Sequence, residues 1–296
     1  MERKPVNWER LQALRERFLN PRPGVYWESA ADLDLYAQTF GARIGSKWAA
    51  VWAELLPRLP EKLTVWDWGC GTGVASAALV ELGQVEKVYV SDHSSLARDY
   101  AAEKLRARGV ETYVLEKGTP EEPYWLVVSH VWNELDKAGQ DALRAALLGA
   151  YGFTWVEPGT PELSRALIEA RDGWASQFSW LGPCPHHAAC GMRTREKDWC
   201  HFFAPPDPDV FTSSEWSRFS KQMQIDLRAL PVSFLSGIRE KTAVKDLGRV
   251  IGRPRVFKGF AKALVCRESG VAEETLKPTG DQKLKDFREI VFCREK

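Results

Sequence analysis

The sequence lacks the segments that would place a chain in or across a membrane. It has no run of about eighteen or more apolar residues, and its first residues, MERKPVNWERLQ, have no apolar core of the kind that a secretory signal needs. We therefore expect no membrane partner and a location in the cytoplasm or, in a eukaryotic cell, in the mitochondrial matrix. The expected oligomeric state is a monomer.

The chain also lacks an excess of charge of one sign. Its formal net charge is +1, and it contains no internal repeat or low-complexity tract. Composition alone therefore does not indicate a nucleic-acid-binding protein. A length of 296 residues, with 44% hydrophobic and 27% charged residues, is typical of a globular protein of one large domain or two small ones.

The spacing of apolar residues predicts an α/β fold with three segments. Residues 1–60 are predicted to form an N-terminal helical extension. In residues 61–267, short apolar strands alternate with amphipathic helices, which indicates a mostly parallel, doubly wound sheet of the Rossmann-like kind. A cysteine-rich insertion interrupts this segment at about 178–212, and a charged C-terminal tail follows at 268–296. The last two strands are predicted at 232–239 and 257–266.

A glycine-rich loop lies between the first predicted strand and the next helix. It comprises Asp67, Trp68, Gly69, Cys70, Gly71, Thr72 and Gly73. Glycine permits a sharp turn and a close ligand approach, and the start of the helix offers free N–H groups to an anionic group. A P-loop would require Gly-Lys-Ser/Thr, and a dinucleotide fingerprint would require a small residue at the position of Val74.

The loop instead resembles motif I of the class I methyltransferases, which bind S-adenosylmethionine. In that superfamily, the acid that precedes the glycines lies near the methionine amino end, and a second acid after the next strand holds the ribose hydroxyls. Asp67 matches the first acid, and Asp92, which His93 follows, matches the second. The resemblance therefore implies a class I methyltransferase fold with an S-adenosylmethionine site.

The sequence indicates cofactor binding more strongly than catalysis. Methylation of a base nitrogen often uses an Asn/Asp-Pro-Pro-aromatic motif, whereas residues 129–135 here are Ser-His-Val-Trp-Asn-Glu-Leu. Pro183-Cys184 matches the pair that pyrimidine-carbon methylation uses, but it lies among other cysteines. His130 and Glu134 are candidate general bases by residue type, and capping of the strand and the following helix explains them equally well.

The insertion contains a cluster of cysteines. Cys184, Cys190 and Cys200 fall within seventeen residues, and thiolates in a reducing compartment suit zinc or iron–sulfur clusters. A fourth ligand is needed. A local histidine would favour zinc, whereas the distant Cys266 would favour an all-cysteine site. The candidate histidines are His186, His187 and His201.

With both motifs identified, the chain resembles the Rsm22 family of small-ribosomal-subunit proteins, whose mitochondrial members are called methyltransferase-like protein seventeen. The resemblance covers about residues 60–267. Its matching stretches are 67–73, 129–135, 156–161, 182–186, 198–202 and 248–266. Gly191 and the Phe203-Ala-Pro-Pro-Asp segment depart from the family pattern.

The resemblance implies S-adenosylmethionine binding, a [4Fe–4S] cluster and association with small-subunit rRNA during assembly or translation. The implied cluster ligands are Cys184, Cys190, Cys200 and Cys266. An rRNA partner gives a purpose to the basic stretch 239–267, which is otherwise explained as a solvated surface. Candidate RNA contacts in it are Arg249, Arg253, Arg255 and Lys258.

Three functions are compatible with these motifs. The protein is expected to bind small-subunit rRNA as an assembly or translation factor, with the cofactor and the cluster in structural roles. The first alternative is an active rRNA methyltransferase. The second is a methyltransferase of a non-RNA substrate in which the insertion holds structural zinc.

Overall fold

The computed structural model describes residues 6–19, 27–241 and 248–278. The chain divides into two units. The first unit comprises Met1–Ala53, Leu59–Tyr151 and Pro205–Leu230, and the second comprises Glu54–Arg58, Gly152–Ala204 and Pro231–Lys296. The three-segment division predicted from the sequence stays a prediction.

The helices and strands alternate through most of the chain. In chain order they are α1 Trp8–Leu19, α2 Ala30–Tyr36, α3 Ala42–Leu55, β1 Leu63–Trp68, α4 Val74–Val80, β2 Val85–Ser91, α5 Ser95–Arg106, β3 Glu111–Val114, β4 Trp125–Ser129, α6 Lys137–Gly149, β5 Gly152–Pro158, α7 Pro161–Trp174, β6 Ser179–Gly182, β7 Phe202–Ala204, α8 Ser214–Met223, β8 Leu230–Ile238, β9 Arg249–Val256, β10 Ala261–Arg267 and β11 Gly270–Leu276.

The first unit contains parallel strands in the order β3-β2-β1-β4. The central strands are nearly continuous apolar runs, and residues 125–128 of β4 are fully buried, as expected for a sheet covered on both faces. Helices α4 and α5 provide the crossovers between β1, β2 and β3. This strand order is that of a doubly wound fold, so the predicted Rossmann-like α/β class is confirmed.

The predicted N-terminal helical region is present. Helix α3 buries Trp48 and Trp52, whose indole Nε1 atoms donate to the Ser129 hydroxyl at 2.9 Å and the Ala75 carbonyl at 3.2 Å. A π-helical turn at Ala37–Gly41 joins α2 to α3. A Cβ atom at Gly41 would lie 3.1 Å from the Tyr36 carbonyl oxygen and 3.6 Å from Thr72 Oγ1, so glycine lets this turn approach the glycine-rich loop.

The second unit contains antiparallel strands. Strand β8 lies between β5 and β6 and is antiparallel to both, and β7 also pairs with β8. Strands β9, β10 and β11 form a separate antiparallel sheet. The predicted strand at 257–266 is wrong at its start, because residues 257–260 form the turn between β9 and β10. Strand β11 lies within the segment predicted as a charged tail, and residues 279–296 lie outside the described residues.

Candidate functional site

The glycine-rich loop connects β1 to α4 in the first unit. Its three glycines all have positive φ angles: 71° at Gly69, 51° at Gly71 and 72° at Gly73. A Cβ atom at Gly69 would lie 2.8 Å from Val131 Cγ1, and one at Gly73 would lie 3.1 Å from Ala101 Cβ. Backbone conformation and close packing therefore both require glycine at Gly69 and Gly73.

Asp67 is fully buried at the base of the loop. Its Oδ2 accepts a hydrogen bond of 2.6 Å from the Ser76 hydroxyl on α4, and burial raises the pKa of this carboxyl to about 7. Its Oδ1 has no hydrogen-bond partner in the described part of the chain. The base of the loop therefore holds a buried polar atom that an ordered water molecule would satisfy.

Asp92 follows β2 and faces the loop. Its Oδ2 accepts from the Gly71 backbone N–H at 3.0 Å, and its Oδ1 accepts from the Ser94 N–H at 2.9 Å. The guanidinium of Arg98 donates to the Asp92 carbonyl at 2.7 Å. These contacts fix the carboxylate beside the loop, where its remaining lone pairs can accept from the hydroxyls of a ribose.

A cavity of about 740 Å³ opens against this loop within the first unit. Its volume lies in the range of small-molecule sites. Most of the predicted cofactor residues line it, as do both candidate bases, whereas Asp67 and Gly73 do not. The predicted residues in its wall are Trp68, Gly69, Cys70, Gly71, Thr72, Asp92, His93, His130 and Glu134.

His130 has an unusual backbone and an unusual environment. Its φ of 55° is rare for a residue with a Cβ atom. Its Nε2 lies 3.3 Å from Lys47 Nζ, and its Nδ1 lies 3.4 Å from the Ser129 hydroxyl. Burial, with the nearby cations Lys47 and Arg43, holds the pKa of His130 well below its ordinary range. The imidazole is therefore neutral at physiological pH, and the same lowered pKa makes it a weak proton acceptor.

The second unit brings its four predicted cysteine ligands into one region. Cys190, Cys200 and Cys266 pack in one apolar cluster with Met192 and Ile251. Burial raises the pKa of the Cys200 thiol well above its usual value, and the nearby thiolates of the other three cysteines raise it further. None of the four forms a disulfide.

Arg171 on α7 holds the loop that carries the first of these cysteines. It is 2% exposed, and its Nε lies 3.2 Å from Cys184 Sγ. Its Nη2 donates to the carbonyls of His186 and Ala188 at 2.8 and 2.7 Å, and its Nη1 donates to Asp172 at 2.6 Å. A buried guanidinium with this many partners fixes an irregular segment that has few apolar residues of its own.

The four cysteines can be compared with the ligand arrangement that a metal requires. Among the described residues, no group of three or more His, Cys, Asp or Glu side chains is arranged to hold a single metal ion. A lone zinc ion would draw four thiolates to about 3.8 Å from one another, given zinc–sulfur bonds of about 2.3 Å. Four thiols in one region fit a cubane cluster in donor type.

The histidines of the insertion differ in their surroundings. His186 is buried, with Nε2 3.4 Å from Cys266 Sγ. The ring of His187 stacks on Trp180 with centroids 6.0 Å apart, and the ring of His201 stacks on Trp199 at 4.6 Å. His186 therefore lies within hydrogen-bonding distance of one of the four cysteines.

The family model of the mitochondrial small ribosomal subunit protein Rsm22 matches residues 57–287. The chain belongs to the Rsm22 family. No curated protein matches the chain. The solved structures that resemble it include an rRNA methylase from Streptococcus thermophilus, with 14% identity, coverage of 65% of this chain and 95% of that one, and a TM-score of 0.39. They also include a SAM-dependent methyltransferase from Thiobacillus denitrificans in complex with S-adenosyl-L-homocysteine, with 14% identity, coverage of 66% and 91%, and a TM-score of 0.38.

Membership of the Rsm22 family places the chain in a family of the mitochondrial small ribosomal subunit. The fold assignment rests on the strand order and on the family match. No helix among the described residues is long and apolar enough to cross a lipid bilayer. The cellular location and the monomeric state stay predictions.

One predicted RNA contact of this Rsm22-family chain is contradicted by its burial. Arg249 is 1% exposed, and its guanidinium forms a two-bonded ion pair with Glu54 and lies 4.3 Å from the centroid of the Phe202 ring. A side chain so enclosed cannot reach a phosphate, so the prediction for Arg249 is wrong. Arg253, Arg255 and Lys258 are exposed, as a phosphate contact requires.

Sequence reasoning missed several residues of these sites. Trp27, which precedes α2, and Tyr36, which ends it, line the cavity, although such aromatic residues usually indicate only core packing. Lys47 was detectable as a cation next to Trp48 in the amphipathic helix α3. Arg171 was also detectable, because it falls on the apolar face of α7.

Proposed function

We propose that the protein binds S-adenosylmethionine in the first unit and a [4Fe–4S] cluster in the second, and that it binds small-subunit rRNA during ribosome assembly or translation. Membership of the Rsm22 family supports the ribosomal role. The glycine-rich loop carries the cofactor proposal, because its positive-φ glycines, Asp92 and the cavity form one anion- and ribose-binding arrangement. S-adenosylmethionine would supply an electrophilic methyl group when bound.

Cofactor binding is tested by calorimetry with S-adenosylhomocysteine. Asp92→Ala should lower the affinity at least tenfold, because it removes the carboxylate that is fixed beside the loop. Asp141→Asn is the matched control, since Asp141 lies on the exposed face of α6 and pairs with Lys137. Equal affinities of both variants would count against the proposed site.

The cluster proposal is supported by the four free thiols that lie in one region of the second unit. Thiolates held among cations and apolar side chains suit an iron–sulfur cluster. Iron, acid-labile sulfide and zinc should be measured on protein purified without oxygen. About four irons and four sulfides per chain, lost in Cys190→Ser, would support the cluster. Zinc without sulfide would overturn it in favour of a structural zinc site.

The active-enzyme alternative is favoured by one observation, the left-handed backbone conformation of His130 in the cavity wall. Labelled methyl transfer onto small subunits from cells that lack the protein separates the two functions. Label that appears with the wild type and disappears with Asp67→Ala would establish an rRNA methyltransferase. The absence of label from a protein that still binds cofactor and subunit would leave the non-catalytic role.

A further inference from the structure

The hairpin of β9 and β10 ends in an exposed pair of aromatic rings. Phe257 is 44% exposed, and its ring stacks on Phe260 with centroids 4.9 Å apart and planes inclined by 14°. The Phe257 N–H donates to the Phe260 carbonyl at 2.8 Å, and Gly259 between them has a φ of 91°. The turn therefore fixes both rings and leaves one of them open to solvent.

The strands behind this tip carry only positive charge. Residues 249–267 contain six Lys or Arg and no acidic residue. Apart from the buried Arg249, the cations of β9 and the turn are exposed. Strand β11 contributes Glu273, which pairs with both Arg255 and Lys262. Its Glu274 pairs with Arg267, and Glu54 pairs with Arg249, so three carboxylates face the six cations and the hairpin stays positive.

An exposed aromatic ring among cations is unfavourable in free energy on a protein surface, because its apolar area stays in contact with water. Single-stranded RNA can contact both parts of the hairpin, the exposed aromatic ring and the cations. Its unpaired bases stack on aromatic faces, and its phosphates pair with Lys and Arg. A base-paired duplex offers phosphates but no free base face, so it would satisfy only the cations.

We infer that the Phe257–Phe260 tip is a stacking platform for an unpaired base of RNA, with Lys258 of the same turn as a phosphate contact. The inference rests on the proposed rRNA-binding function and adds the class of RNA that this surface selects. Single-stranded loops or ends of the rRNA are the expected targets.

Stacking and phosphate contacts respond differently to salt, so the contributions of the aromatic ring and of the cations to RNA binding can be measured separately. A phosphate contact adds about 0.7 to the slope of log affinity against log salt for a single strand, whereas stacking adds none. Phe257→Ala should therefore weaken binding of a short unstructured RNA about tenfold at every salt concentration, with an unchanged slope. Lys258→Gln should reduce the slope and weaken binding most at low salt.

The experiment uses the full chain and fluorescence anisotropy with a labelled unstructured RNA of about twelve nucleotides and a duplex of the same sequence. Phe257→Tyr should restore binding, since it keeps the ring. Phe211→Ala is the matched control, because Phe211 is 64% exposed in the first unit. Unfolding midpoints of the variants should agree, so that a loss of binding is not a loss of fold.

Three outcomes overturn the inference. In the first, Phe257→Ala behaves like Phe211→Ala. In the second, it weakens binding to single strand and duplex equally. In the third, it weakens binding to intact small subunits but not to RNA, which assigns the tip to a ribosomal protein. A wild-type protein that binds neither RNA nor small subunits would instead refute the proposed function.

Discussion

The Nε of Arg171 donates to the Sγ of Cys184 across 3.2 Å, from a side chain that is 2% exposed. The same guanidinium also contacts Asp172 and two carbonyls of the loop that follows Cys184. One buried cation therefore links α7 to the cysteine-rich insertion, and its loss would leave several buried polar groups without partners.

We predict that Arg171→Gln lowers the free energy of unfolding by about 3–5 kcal/mol, because removing one partner of a buried ion pair leaves the others unsatisfied. Arg193→Gln is the matched control. Arg193 also approaches Asp172, at 3.5 Å, but it is 66% exposed, so its loss should cost less than about 1 kcal/mol. Urea unfolding under anaerobic conditions measures both, and equal losses would contradict the anchoring role.

The raised pKa of Asp67 predicts a pH dependence of stability. Burial raises this pKa to about 7 in the folded protein, against about 3.9 in an unfolded chain. Between these values the folded protein keeps the proton and the unfolded chain releases it. Stability therefore falls as the pH rises through this range, and no further loss from this group occurs above about pH 7.

Asp67→Asn removes this dependence. Relative to the wild type, the variant should gain a few kcal/mol of stability between about pH 4 and pH 7. Urea unfolding at several pH values measures the difference, with the exposed Asp141→Asn as control. A difference that does not change with pH would show that Asp67 is ionised in the folded protein.

Close packing at Gly69 predicts that substitution by alanine lowers stability by more than backbone strain alone would. Gly69 and Gly109 have similar φ angles, 71° and 80°, but only Gly69 has a neighbour, Val131 Cγ1, within 4 Å of an added Cβ. Gly109→Ala should cost about 1–2 kcal/mol from the left-handed conformation. Gly69→Ala should cost more, because its Cβ would lie 2.8 Å from that methyl group.

The same pair tests the cofactor site. Gly69→Ala should also weaken S-adenosylhomocysteine binding, because the loop lines the cavity, whereas Gly109→Ala should leave the affinity unchanged. Thermal unfolding and calorimetry measure the two effects. If both variants bind the ligand like the wild type, the loop does not contact it.

Sequence patterns predicted the parts of the fold that depend on residues close together in the sequence. Strands β1 and β4 are apolar runs, and the glycine-rich loop follows β1 directly, so local information sufficed. Burial of Arg249 was not predictable, because its partner Glu54 lies 195 residues away in the chain. Strand β9 was missed because Gly252 and Pro254 interrupt its apolar alternation, and both residues usually indicate turns.

Helix α8 was missed for a different reason. Its buried residues Trp216, Phe219 and Met223 have helical spacing, but the helix is short and follows the irregular insertion. The cysteines were identified by type and spacing alone. Arg171 is detectable as a cation on the apolar face of α7, but its contact with Cys184 depends on how the irregular loop folds back onto that helix.

The Lys47–His130 contact predicts a shift in a titration. Burial is the main cause of the low pKa of His130, and the Lys47 ammonium at 3.3 Å is the second. Lys47→Met keeps an apolar chain of similar length and removes the charge. The pKa of His130 should therefore rise toward its ordinary value but stay below it, because burial remains.

Proton NMR of the imidazole C–H signals measures this pKa, and the signal that is missing in His130→Gln identifies the residue. Lys137→Met, on the exposed start of α6, is the control and should leave the titration unchanged. A rise in Lys47→Met alone would show that Lys47 helps to keep His130 neutral beside the cavity, where a cationic cofactor is expected. A titration that is the same in the wild type and in Lys47→Met would show that burial alone sets this pKa, and Lys47 would then have no part in the site.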